Sequence, residues 1–315
     1  MQPRMRNLPN TIVPDRTGSQ PRSVNGKLKR IFVGERGIRS GWSVLLFAAI
    51  FWILQTAVLA TLRHLMPFDD KAPIPWNLAI RLEFCQVLVV AAATWVMARI
   101  ESRRLLSYGF SGDRRLMRLL NGVLIGFLCL SLLVGILWKA GLLIFERRSL
   151  SGFTAWRYAF AWGLVFLLVG VFEESLFRGY LQHTLAQGVG FWWAALLLSF
   201  AFAGGHVGNN GESILGIVQV FVGGLFFCLS LWYTKSLLWA VGFHAGWDWG
   251  QSYFYGTADS GLVMQNHFLA SHASGNPLWS GGTTGPEGSL VTVPLLVMMA
   301  IGMWLWCGHI RNYRR

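Results

Sequence analysis

The chain has 315 residues, 54% of them hydrophobic and only 13% charged, with a mean hydropathy of +0.46. An average soluble domain carries roughly twice that charge, which excludes a water-soluble globule, and the 16 Trp and 22 Phe in repeated apolar runs exclude a disordered chain. The net charge of +13 therefore has to be placed against a lipid bilayer.

Residues 1–40 form a tail with nine Lys and Arg, rich in Pro, Gly and Ser. No nucleic-acid reader follows it, so it is read as a cytoplasmic segment near anionic lipid, with no nucleic-acid partner. It is not read as a signal peptide, because the first apolar run begins only after Gly41 and is too long for an h-region. Crossing the hydrocarbon takes about 20 helical residues. Runs of that kind stand at 41–62, 79–98, 120–145, 158–177, 190–206, 213–233, 236–250 and 290–309. Continuous rather than alternating apolarity selects helices, and the fold class expected is all-α: a polytopic transmembrane bundle of about eight helices.

The basic residues give the orientation. With eight crossings, 20 Lys and Arg fall on the side of the termini and five on the other, the asymmetry of cytoplasmic termini. The expected organisation is a basic tail (1–40), N-terminal membrane helices (41–157) and a core (158–250). An external polar loop without Lys or Arg (251–289) and a last helix with a basic end (290–315) complete it. The four cysteines, Cys85, Cys129, Cys228 and Cys307, sit singly in apolar runs and read as packing residues.

Because an ionisable group in mid-membrane is costly, each one inside a span needs a partner or a task. Arg81 and Glu83 sit near a span end, where each can reach water or the other, and Lys139 can snorkel. A denser group remains. Glu173, Glu174 and Arg178 close one span, His206 closes another, and His244 and Asp248 lie in a third. Glu174 and Arg178 are four apart, in the favourable order for a helical ion pair. Glu173 is rotated about 100° away and points elsewhere, toward the bundle interior. Phe202 with His206, and His244 with Asp248, repeat the four-residue spacing. Two imidazoles and two carboxylates from three helices supply a general base and groups to hold a metal or an oxyanion. They equally supply an interhelical polar clamp, and spacing alone leaves both readings open.

At these residues the sequence resembles the CPBP family of intramembrane proteases, which includes the CAAX prenyl endopeptidases and the bacterial Abi self-immunity proteins. The family's motifs are EExxxR, FxxxH and HxxxN/D on successive membrane helices. Here they stand as Glu173-Glu174-Ser175-Leu176-Phe177-Arg178, Phe202-Ala203-Gly204-Gly205-His206 and His244-Ala245-Gly246-Trp247-Asp248. The resemblance implies that Glu173 activates the attacking water and that Glu174 with Arg178 supports it. It implies that His206 and His244 hold the water, a metal or the oxyanion. Asp248 stands where the prenyl-protein proteases usually have Asn. An ionised Asp repels an oxyanion and favours a cation, which tilts the cofactor expectation toward a divalent metal, zinc, on His206 and His244.

The function implied is an intramembrane endopeptidase acting on a membrane-associated or lipidated peptide, in a bacterial plasma membrane. The alternative is a non-catalytic membrane partner or bacteriocin self-immunity protein. No H-E-x-x-H occurs, which sets aside the site-2 type of metalloprotease.

With these boundaries Glu173 lies in the cytoplasmic half of its helix, while His206 ends about 20 Å from Trp193. A shared pocket then needs a span starting near Leu185, one continuing past Gly208, or a short, sunken helix. Among the remaining groups, His183 reads as a surface residue, His267 and His272 as solvated loop residues, and Gly223-Gly224 as a place for close helix packing.

Overall fold

The computed structural model describes residues 32–34, 37–66 and 75–312, with side chains through 306. Most of the basic tail, Lys71, and the side chains of Cys307, Arg311, Arg314 and Arg315 lie outside the described residues. Within the tail, β1 (Val33–Gly34) pairs antiparallel with β2 (Gly37–Ile38).

From Ser40 onward the chain is a helical bundle. Its helices are α1 (Ser40–Leu65), α2 (Trp76–Ile100), α3 (Arg115–Lys139), α4 (Gly152–Glu174), α5 (Gln182–Val189), α6 (Phe191–His206), α7 (Ile214–Thr234), α8 (Leu237–Asp248) and α9 (Thr292–Asn312). Every expected span coincides with one of them. Among the described residues, α1, α2, α3, α7 and the run Gly152–Val189 are long and apolar enough to cross a membrane, while α6 and the stretch Thr292–Trp306 are shorter. The expected 120–145 span is cut back. Gly141, at a φ of 71°, stops α3, and β3 (Leu143–Phe145) pairs antiparallel with β4 (Ser271–Ala273).

Two local features set up the interior. The first is the joint between α4 and α5, a π-helical segment, Ser175–Leu181, in which Gly179 leaves helical geometry at φ −80° and ψ −109°. Ser175 Oγ donates to Val171 O at 2.5 Å, competing for a backbone acceptor just where the turn widens. The second is the seat of α8. Gly122 and Gly126 of α3 face Gly242 and Gly246 of α8. A Cβ at any of the four would fall within 3.0 Å of backbone on the opposite helix, at Trp239, Phe243, Leu119 or Val123. Lipid gives no hydrophobic drive for helices to associate, so contact this close gains its stability from dispersion between backbones. Gly170 of α4 meets Val241 O of α8 in the same way, at 2.9 Å.

The 251–289 segment is polar as expected, and it is packed onto the bundle. Trp162 Nε1 donates to Gln265 O at 3.0 Å, and Gln219 Nε2 to Ser289 O at 3.1 Å. Asn209 Nδ2 donates to Ser260 O at 3.0 Å, and Glu146 N to Ala270 O at 2.8 Å.

Candidate active site

Glu173 and Glu174 end α4, and their difference in azimuth decides their surroundings. Glu174 and Arg178 point into the protein with no exposed side-chain surface and pair at 3.1 Å, Nη1 to Oε1. Burying a guanidinium is costly, and its Nε and Nη2 have no hydrogen-bond partner. Aromatic faces compensate: its Cζ stands 4.2 Å from the Phe202 ring centre and 5.3 Å from that of Phe227. Gly224 makes room for it, since a Cβ there would lie 2.9 Å from Arg178 Nη2 and 2.9 Å from Ser199 Oγ. The glycine pair read as a helix-packing site thus splits. Gly224 admits a side chain, while Gly223 lines a cavity.

Glu174 also anchors the site histidine. Its Oε1 lies 3.2 Å from His244 Nδ1, and the ring stacks on Phe227 with centres 5.2 Å apart. The other nitrogen, Nε2, stands 3.5 Å from Glu173 Oε2 and 3.4 Å from Asp248 Oδ2. Only a nitrogen bearing hydrogen can donate to a carboxylate, so a neutral ring serves one side of this array and a charged ring both. Glu173 Oε2 is buried and has no hydrogen-bond partner, which leaves it an acceptor for a proton.

Glu173, His244 and Asp248 open onto a cavity of about 510 Å³. His206 lies on the wall of the same cavity without a hydrogen bond or ion pair to Glu173, Glu174, Arg178, His244 or Asp248. Its Nδ1 donates to Phe202 O at 2.9 Å, which leaves Nε2 to meet a ligand. The Phe202 ring lies between the two histidines, 4.9 Å from His206 and 6.3 Å from His244, centre to centre. The helix carrying His206 has essentially its expected extent, 16 residues, and His206 at its end nevertheless reaches the cavity that Glu173 lines. The 251–289 segment packs beside the end of α6 through Asn209 and Ser260, and Glu173 and His206 line the same cavity.

The arrangement does not bring His206 and His244 to a common point with a third donor. Among the described residues, no group of three or more His, Cys, Asp or Glu side chains is placed to hold a metal ion.

Several residues on the cavity escaped the sequence reading. Glu83 does not pair with Arg81, which reaches Met66 Sδ at 3.0 Å instead. Glu83 lines the cavity and accepts from Gln86 Nε2 at 2.9 Å. Asp259, Ser260 and Glu287 line it from the loop. The available signal was scarcity: Asp259 and Glu287 are the acids of a loop with no Lys or Arg. Outside the cavity, His183 is half-buried rather than superficial, with Nε2 2.5 Å from Arg103 Nη1. His272 pairs with Glu146 at 2.9 Å, while His267 is half-buried, its Nδ1 3.2 Å from Met264 O. Cys85, Cys129 and Cys228 are free thiols.

Five helical runs long and apolar enough to cross a membrane thus belong to a bundle with a cavity on whose wall a glutamate, an imidazole and an aspartate meet. Residues 154–250 match the family described as type II CAAX prenyl endopeptidase, Rce1-like. Over that segment, which contains Glu173, Glu174, Arg178, His206, His244 and Asp248, the chain is similar to this family, and the activity the family implies is that of a CAAX intramembrane protease. No curated protein matches the chain.

Proposed function

We propose that this protein is an intramembrane endopeptidase that cuts a peptide bond of a membrane-associated or lipidated peptide with water activated by Glu173. The observation that carries the reading is the 3.5 Å approach of Glu173 Oε2 to His244 Nε2 on the cavity wall. Glu173 takes a proton from a water as its oxygen bonds to the scissile carbonyl carbon. The carbonyl π electrons move to oxygen, and a donor on His244 or His206 stabilises the resulting oxyanion. Collapse breaks the C–N bond, and the proton held by Glu173 passes to the leaving amine. Glu174 and Arg178 position His244 and do not touch the substrate, while Asp248 orients the imidazole through Nε2. The concentration of basic residues on the side of the termini supports cytoplasmic termini, and the membrane is taken to be a bacterial plasma membrane.

Glu173→Gln keeps the size of the side chain and removes the base. Cleavage of a lipidated peptide library by this variant falls by about 10² to 10⁴, while its thermal unfolding in detergent stays that of the wild type. Full retention of cleavage removes Glu173 from the chemistry. Cleavage that survives dialysis against a chelator is the expected companion result, because the donor geometry provides no metal cage.

A further inference from the structure

Carboxylates are scarce in this chain and unevenly placed. Of its 14 acidic residues, five (Glu83, Glu173, Asp248, Asp259 and Glu287) line this same cavity. Among the described residues no Lys or Arg lines it. The catalytic reading uses Glu173 and Asp248 and leaves the loop end unexplained. There Asp259 and Glu287 are held in fixed orientations. Asp259 Oδ2 accepts from Ser252 Oγ at 2.9 Å, and Glu287 Oε1 accepts from Ser260 Oγ at 3.0 Å and from Ser260 N. Neither has an ion pair with a Lys or Arg among the described residues.

A second observation points to a ligand at this end. Gln219 is 3% exposed and lines the cavity. Its Nε2 is committed to Ser289 O at 3.1 Å, while Oε1 is buried without a hydrogen-bond partner. A buried acceptor with no donor is costly, and this one shares the cavity with two carboxylates that also only accept when ionised. Burial first, then the neighbouring Asp248 and Glu287, hold the Asp259 carboxyl well above its ordinary range. Crowded like charges of this kind are relieved by an incoming cation.

We propose that the loop end of the cavity is a subsite for a cationic side chain of the substrate peptide, a lysine ammonium or arginine guanidinium, bound by Asp259, Glu287 and Gln219. An ammonium brings three donors and a guanidinium five, matching a pocket built of acceptors. Among the described residues no group of three or more His, Cys, Asp or Glu there is placed to hold a metal ion, and a multi-donor organic cation suits the pocket better. The proposal rests on the protease reading for the identity of the ligand as a peptide, and it adds a preference for basic residues to that reading.

The test uses lipid-anchored fluorescent peptides of one sequence in which Lys, Gln or Glu is scanned through each position. They are given to the full-length protein in detergent, and both cleavage and equilibrium binding are read. At one position Lys exceeds Gln by about tenfold in kcat/KM, with Glu poorest. Asp259→Asn and Glu287→Gln, which keep the acceptors for Ser252 and Ser260, each bring the Lys-to-Gln ratio toward one. Cleavage with no Lys preference at any position, or a ratio unmoved in both variants, overturns the subsite. Absence of all cleavage counts against the protease reading instead, and binding then decides the subsite alone. Tighter binding of Lys peptides, lost in both variants, upholds it, and equal binding of Lys and Gln peptides overturns it.

Discussion

Helices α6 and α8 each carry one motif histidine, and they are built on opposite principles. In α8, Leu237 and every residue from Ala240 to Asp248 are buried. In α6, Trp192, Trp193, Leu197 and Phe200 are exposed large hydrophobics, although α6 is the more apolar of the two. In water the more apolar helix would sit inside. In lipid the order reverses, because tails satisfy Leu and Phe while glycine and polar groups need protein around them. The composition GFHAGWDWG marks α8 as the inner helix. The consequence for the site is that His244 is fixed by packing on several sides and by carboxylates at both nitrogens, whereas His206 is held by one bond to its own helix.

This contrast can be broken experimentally, beginning at the strongest point. Glu174→Ala removes the acceptor shared by Arg178 and His244 and leaves a buried, unpaired guanidinium, at a cost of about 3–5 kcal/mol. Thermal unfolding in detergent should show this as the largest loss of the series. A loss below about 1 kcal/mol would mean that the aromatic box alone holds Arg178. Gly242→Val drives a side chain into α3 backbone and should cost about 1–3 kcal/mol, with cleavage falling because His244 moves with its helix. Gly224→Ala presses on Arg178 and Ser199, and a smaller loss of about 1 kcal/mol is expected by the same overpacking argument. His206→Ala closes the series. On the looser helix it should shift stability by no more than about 0.5 kcal/mol, while cleavage drops by about 10². A large loss of stability there would make His206 as structural as His244 and erase the contrast.

Much of this architecture can be read from the sequence, for reasons that also mark where reading fails. The apolar runs mark eight of the nine helices named above, all but the short and more polar α5, because hydrocarbon tolerates little else, and the four-residue spacing of Glu174 and Arg178 suffices to predict their pairing. Those relations are local in the chain. Glu83 illustrates the opposite case: its partner Gln86 is local, but the cavity it faces is made by α4 and α8, and no spacing encodes that. The widened turn at Ser175–Leu181 is equally hidden, because one glycine, Gly179, in an otherwise helix-compatible run does not specify a π turn. The Gly122/Gly126 and Gly242/Gly246 pairs were visible as small residues four apart, yet which helix each would meet depends on the assembled bundle. Asp259 and Glu287 reach the cavity only because their loop folds back on α6 and α7.

That fold-back has a practical consequence for anyone who tags or truncates the protein. A hydrophilic stretch of nearly forty residues between two membrane helices would ordinarily be chosen for an epitope, a reporter insertion or a cleavage site, since exposed tips tolerate such changes. Here the same stretch is stitched to the bundle by Gln265, Ser289, Ser260 and Ala270. It is the floor of the chamber rather than a tether, and an insertion there would disturb the cavity.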